Sequence, residues 1–115
     1  MAAVLAIAPL PEDSLAASAR FHTEFLAKVA AVLADRPETL TLVFKAADHS
    51  HRAWRLAAVQ QLARHHAPLR INALQGGDDR AIAAGLEYCA AAPGLTGQLL
   101  ELDGNGASAL LNKEL

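Results

Sequence analysis

The densest group of side chains able to do chemistry is Asp48-His49-Ser50-His51-Arg52. A carboxylate beside two imidazoles can pass protons as acid and base, and the same set can ligate a metal. Arg52 adds a permanent cation suited to a carboxylate or phosphate. Asp48, His49, His51 and Arg52 are therefore the candidate ligand-binding residues. Metal binding is not expected, because His-x-His at a helix start does not turn both rings to one face and no third ligand stands nearby. The plainer alternative is a solvated helix start capped by Asp48 or Ser50. Elsewhere the chemistry is thinner. His65-His66 suits a helix C-terminus, where imidazolium meets the dipole favourably. Glu24 and Lys28 are spaced for a pair on a solvated helix face. Cys89 has no evident activating partner and reads as a buried structural thiol. Asp103-Gly104-Asn105-Gly106 lacks the alternating ligands of a calcium loop and reads as a turn. No nucleophile–base pair stands out, and no catalytic residue is nominated.

The elements that must position the 48–52 segment follow from periodicity and punctuation. Residues 2–8 (AAVLAIA) form an apolar run closed by Pro9 and Pro11, which predicts a buried strand. Asp13 or Ser14 can cap a helix reaching about Asp35, with Phe21, Phe25, Val29 and Val32 on one stripe and Pro37 as its stop. Residues 40–44 (LTLVF) are β-formers and give a second strand. A helix over 51–66 follows, with Trp54, Ala58, Leu62 and His65 along one face. Residues 69–74 make a third strand leaving through Gly76-Gly77. Asp78 or Asp79 opens a helix carrying Ile82, Leu86 and Cys89, and residues 98–102 make a fourth strand. The alternation β-α-β-α-β-α-β predicts one α/β domain over 1–115. Its sheet should be parallel, four-stranded and ordered 1-2-3-4, with two helices on one face and the third on the other: a Rossmann-like half domain in three layers.

Composition narrows the function classes. The 115 residues are 53% hydrophobic and 4% aromatic, with a formal net charge of −2. Near-neutral charge and the absence of a basic run give no footprint for nucleic acid or an anionic membrane. A single cysteine cannot form an internal disulfide, so a reducing, cytoplasmic setting is expected. Residues 1–9 are too short to span a bilayer and lack a charged n-region. The Lys113-Glu114-Leu115 ending does not make an ER-retention signal.

Two segments resemble a known family. Gln61-Leu62-Ala63-Arg64-His65-His66-Ala67-Pro68-Leu69-Arg70-Ile71-Asn72-Ala73 is similar to the long helix and following strand in the C-terminal half of short-chain dehydrogenases/reductases. Pro93-Gly94-Leu95-Thr96-Gly97-Gln98-Leu99-Leu100-Glu101-Leu102-Asp103-Gly104 resembles that family's "TGQ.L.VDGG" ending. Weaker similarity extends over nearly the whole chain. The resemblance covers the C-terminal half, so the glycine-rich turn that seats the dinucleotide pyrophosphate is expected to be missing, and no cofactor is expected. Counting back from Asn72, the family's catalytic Tyr-x-x-x-Lys falls on Asp48 to Arg52. Asp48 is no phenol, and Arg52 keeps the charge of lysine but does not deprotonate. The loop bearing the family's serine is too short here, and Ser50 is not its match. Asn72 and Thr96 match family positions of structural rather than catalytic weight.

The resemblance thus implies a catalytically degenerate reductase-like domain acting as a binding or assembly module. The alternatives are an NAD(P)-dependent oxidoreductase subunit completed by a partner chain, or a small-ligand binding protein using the 48–52 end. The family's usual pairing through the equivalent helices, together with a bare apolar edge at residues 2–8, implies a homodimer or a partner protein. Phe21, Phe25, Val29 and Trp54 are the interface candidates.

Overall fold

The computed structural model describes residues 1–102. Four strands, β1 (Ala2–Ala6), β2 (Thr39–Phe44), β3 (Arg70–Gly76) and β4 (Leu99–Leu102), form one sheet in the order β1-β2-β3-β4. Every pairing is parallel, with Leu40 beside Ile71 and Leu42 beside Ala73. This is the expected α/β half-domain arrangement. The turn expected at Asp103-Gly104-Asn105-Gly106 and the chain end lie outside the described residues.

Helices α1 (Ser14–Arg20) and α2 (Leu26–Leu33) are joined without a break by a π-helical stretch, Phe21–Phe25. Helix α3 (Arg52–His65) follows a 3-10 turn at His49–His51, and α4 is Asp79–Ala91. Three aspartates start them. Asp13 accepts from Ala16 N, Asp48 from Ser50 N and Asp78 from Ala81 N at 2.8–2.9 Å, each relieving an orphan donor of a first turn.

The main core lies between the sheet and α1, α2 and α3. Leu40, Leu42, Phe44, Ile71 and Ala73 meet Phe21, Phe25, Val29, Val59 and Ala63 there. The alternate side chains of β2 and β3, including Thr41, Asn72 and Leu74, face α4 through Ala81, Gly85 and Cys89. Period-2 alternation explains this division, since β2 and β3 are buried on both faces.

Two sequence expectations need correction here. Phe21, Phe25 and Val29, named above as interface candidates, are buried in the chain's own core against the sheet. The stripe was real, but it belongs to the core. The buried face of α3 is also turned from the expected one. Arg55, Ala58, Val59 and Ala63 point inward, while Trp54 and Leu62 are half-buried and His65 is exposed. Glu24 pairs with Arg20 (3.7 Å) rather than with Lys28, whose ammonium sits 4.9 Å from the Phe25 ring centroid.

Gly76 and Gly77 both have positive φ, 75° and 80°, at the sharp exit from β3. A Cβ on Gly77 would fall 2.7 Å from the Leu102 Cβ, so this turn requires glycine twice over: for its backbone and for its space.

Candidate functional site

In parallel α/β sheets the carboxyl ends of the strands carry the ligand sites. At that edge, over the ends of β1 and β2, lies a cleft of about 440 Å³. Its rim on one side is the turn at residues 9–11 and Glu12, and on the other Lys45, Asp48, His51 and Arg55.

Asp48 and His51 line this cleft, whereas His49 and Arg52 are exposed and do not. The four candidates therefore do not converge. Asp48 is tied to its own turn: its carboxylate accepts from the Ser50 backbone N–H at 2.9 Å and from the Ser50 hydroxyl. Those two hydrogen bonds hold its pKa below the usual carboxylate value, with smaller help from His51 and His49.

His51 is 3% exposed, and both of its ring nitrogens are taken. Nε2 lies 2.8 Å from the Glu12 carbonyl oxygen, which can only accept, so Nε2 carries the proton. Nδ1 then accepts from the Trp54 indole N–H at 3.3 Å. With Nε2 donating and Nδ1 accepting, the ring ties the 9–12 turn to α3 and has no lone pair to spare for a metal. Among the described residues no group of three or more His, Cys, Asp or Glu side chains could hold a metal ion.

Trp54 is half-buried in an aromatic cluster with Phe21 (5.5 Å between centroids) and Phe44 (5.7 Å, edge-on). It therefore roofs the sheet's carboxyl edge. Behind it lies the residue that sequence reasoning missed. Arg55 is 3% exposed. Its Nη1 donates to the Lys45 carbonyl (2.9 Å) and to Gln75 Oε1 (3.2 Å), and its guanidinium carbon lies 4.6 Å from the Phe44 centroid. Burial pulls its pKa below the ordinary arginine value, yet a guanidinium remains charged. The available signal was an arginine one turn before Val59 and two before Ala63, a cation on the helix's inward stripe.

The segments that resembled a family do different work, away from the cleft. Asn72 donates to the Leu95 carbonyl (2.9 Å) and accepts from Gln98 N (3.1 Å). Thr96 Oγ1 accepts from Ile71 N at 3.1 Å. Arg70 donates to the carbonyls of Cys89, Ala90 and Ala92, closing the C-terminal end of α4. The two stretches thus recognise each other: the start of β3 is stitched to the loop that leads into β4.

That mutual stitching coincides with a family match. A family model described as "SDR-like: Short chain dehydrogenase-like protein" matches residues 5–102. The chain belongs to this family. No curated protein and no solved structure matches it. The match spans all four strands of the parallel sheet from Leu5 onward. Among the described residues no helix is long and apolar enough to cross a membrane.

Proposed function

We propose that this short-chain dehydrogenase-like domain is a catalytically degenerate binding and assembly module that pairs with a second copy of itself. The observation that carries the reading is the state of the segment standing where the family's catalytic pair would fall. Asp48 spends its carboxylate on Ser50, His51 spends both nitrogens on Glu12 and Trp54, and Arg52 is exposed. A proton relay needs a donor free to reach substrate, and an acid or base whose pKa lies near working pH. Asp48 has its pKa moved the wrong way for a general acid, and Arg52 does not titrate.

Self-pairing has support from the outer face of the helices. A groove runs between the first helical pair and α3, lined by His22, Leu26, Ala58, Gln61, Leu62, Arg64 and His65. It lies on the helix pair through which the family resemblance implies dimerisation. The interface so proposed is shifted outward from Phe21, Phe25 and Val29 to Leu26 and Leu62.

The rival reading, an oxidoreductase subunit completed by a partner chain, is favoured by one feature. Strand β1 is the sheet's edge, and Val4 is 49% exposed. Such apolar edges invite another chain. Calorimetric titration of the purified chain with NADH and NADPH separates the readings. The module gives no saturable heat, and it gives no nicotinamide-dependent carbonyl reduction. A micromolar constant, or turnover that disappears in Arg52→Ala, contradicts it.

A further inference from the structure

The cleft at the carboxyl edge contains a buried cation, Arg55, with no counter-ion among the described residues. The ion pairs among the described residues are Met1–Glu38 and Arg20–Glu24, and neither involves Arg55. Arg55 Nη1 is bound by two neutral oxygens, and its Nε is buried with no hydrogen-bond partner. Burying a charge is costly unless it is paired, and an unpaired buried N–H adds to that cost. The Phe44 and Trp54 rings, 4.6 and 5.8 Å from the guanidinium carbon, offset part of it. Arg55 also lines the cleft, where Lys45 supplies a second, exposed cation.

We propose that this cleft binds a small apolar monocarboxylate, its carboxylate received by Arg55 and Lys45 and its tail covered by Pro9, Leu10 and Pro11. The proposal rests on the binding-module reading and names the ligand class for it. Lys45 and Arg55 are matched on the lining by Glu12 and Asp48, so a phosphate dianion would add two uncompensated charges to the cleft where a monocarboxylate adds one. An apolar tail is suggested by the five apolar residues on the lining, Pro9, Leu10, Pro11, Ala46 and Ala47. Guanidinium is the natural receiver of a carboxylate in a partly dehydrated site.

The chain's one tryptophan reports on the site directly, since Trp54 stacks beside Arg55. Sodium hexanoate is titrated into the full chain at constant ionic strength while Trp54 fluorescence is followed, with sodium phosphate and sodium chloride as parallel arms. A saturable change with hexanoate is expected, none with chloride, and phosphate weaker by about tenfold or more. Lys45→Ala, at an exposed position, should weaken hexanoate by about tenfold, the worth of one charge-assisted hydrogen bond. Arg55→Lys should weaken it too, with circular dichroism showing that the variant is folded; if that variant unfolds, Lys45→Ala carries the test. A flat hexanoate titration overturns the proposal, as does equal affinity in Lys45→Ala or a phosphate response as tight as hexanoate. A flat titration by a chain that still pairs and binds no dinucleotide removes this ligand alone. Tight dinucleotide binding removes the module reading and leaves the hexanoate result to stand.

Discussion

At the scale of residues, Asn72 is the strongest test of what the family motif does in this chain. It is buried and answers both a carbonyl and an N–H of the loop before β4. Asn72→Ala strands both groups, and such losses cost about 1–3 kcal/mol each where water cannot replace them. Urea unfolding should show a loss of about 2 kcal/mol, and an unchanged midpoint would remove Asn72 from the fold's framework. Cys89 gives a second test. Its thiol is fully buried, and burial raises its pKa above the ordinary 9.0, against smaller opposing pulls from Thr41 and Arg70. A raised thiol pKa means the folded state holds its proton more tightly than the unfolded chain. The associated stability is complete below the unfolded thiol's pKa and is lost as pH rises through the folded value. Iodoacetamide at pH 8 should therefore label Cys89 only as fast as the chain unfolds; rapid labelling in native buffer would contradict this. Asn72, Thr96 and Cys89 were legible because their neighbours in sequence fix their role. Arg55 and Lys45 were not. A cation on an inward helix stripe acquires meaning only when the sheet edge beneath it is known, and the Asp48-to-Arg52 cluster drew attention by composition alone.

At the scale of elements, punctuation was more readable than orientation. Prolines, glycines and capping aspartates placed every strand and helix, because each acts through the backbone and through near neighbours. The two misjudged faces have physical causes. Alanine is so frequent around α3 that two adjacent stripes look equally apolar, and the choice between them fell to the sheet, which took Val59 and Ala63 and accepted Arg55. The long first helix hides a π-helical turn at Phe21–Phe25, which no local pattern announces. It brings Phe21 and Phe25 onto the sheet with their rings nearly parallel, 6.3 Å apart. The exit from β3 is the element most sharply set by sequence. Gly77→Ala meets both a positive φ and the Leu102 side chain, and should destabilise by at least about 1 kcal/mol from backbone strain alone. A melting temperature equal to that of the parent would show that the β3–α4 turn can relax without cost.

At the scale of the whole molecule, the domain presents two surfaces on which assembly can be argued: the groove between α2 and α3, and the open edge of β1. Phe25 cannot report on either, because Phe25→Asp would place a carboxylate in the core. Gln61→Arg is a cleaner probe of the groove, since Gln61 is exposed and its change leaves the protomer's packing alone. Val4→Asp probes the edge in the same way. If the account is right, Gln61→Arg separates the copies while Val4→Asp leaves them paired; the reverse pattern assigns assembly to the strand edge. The most direct test of the central claim is the mass of the untouched chain by light scattering across a dilution series. The account predicts twice the 12.1 kDa of one chain at micromolar concentration, dissociating only on further dilution. A mass of one chain at every concentration would contradict it.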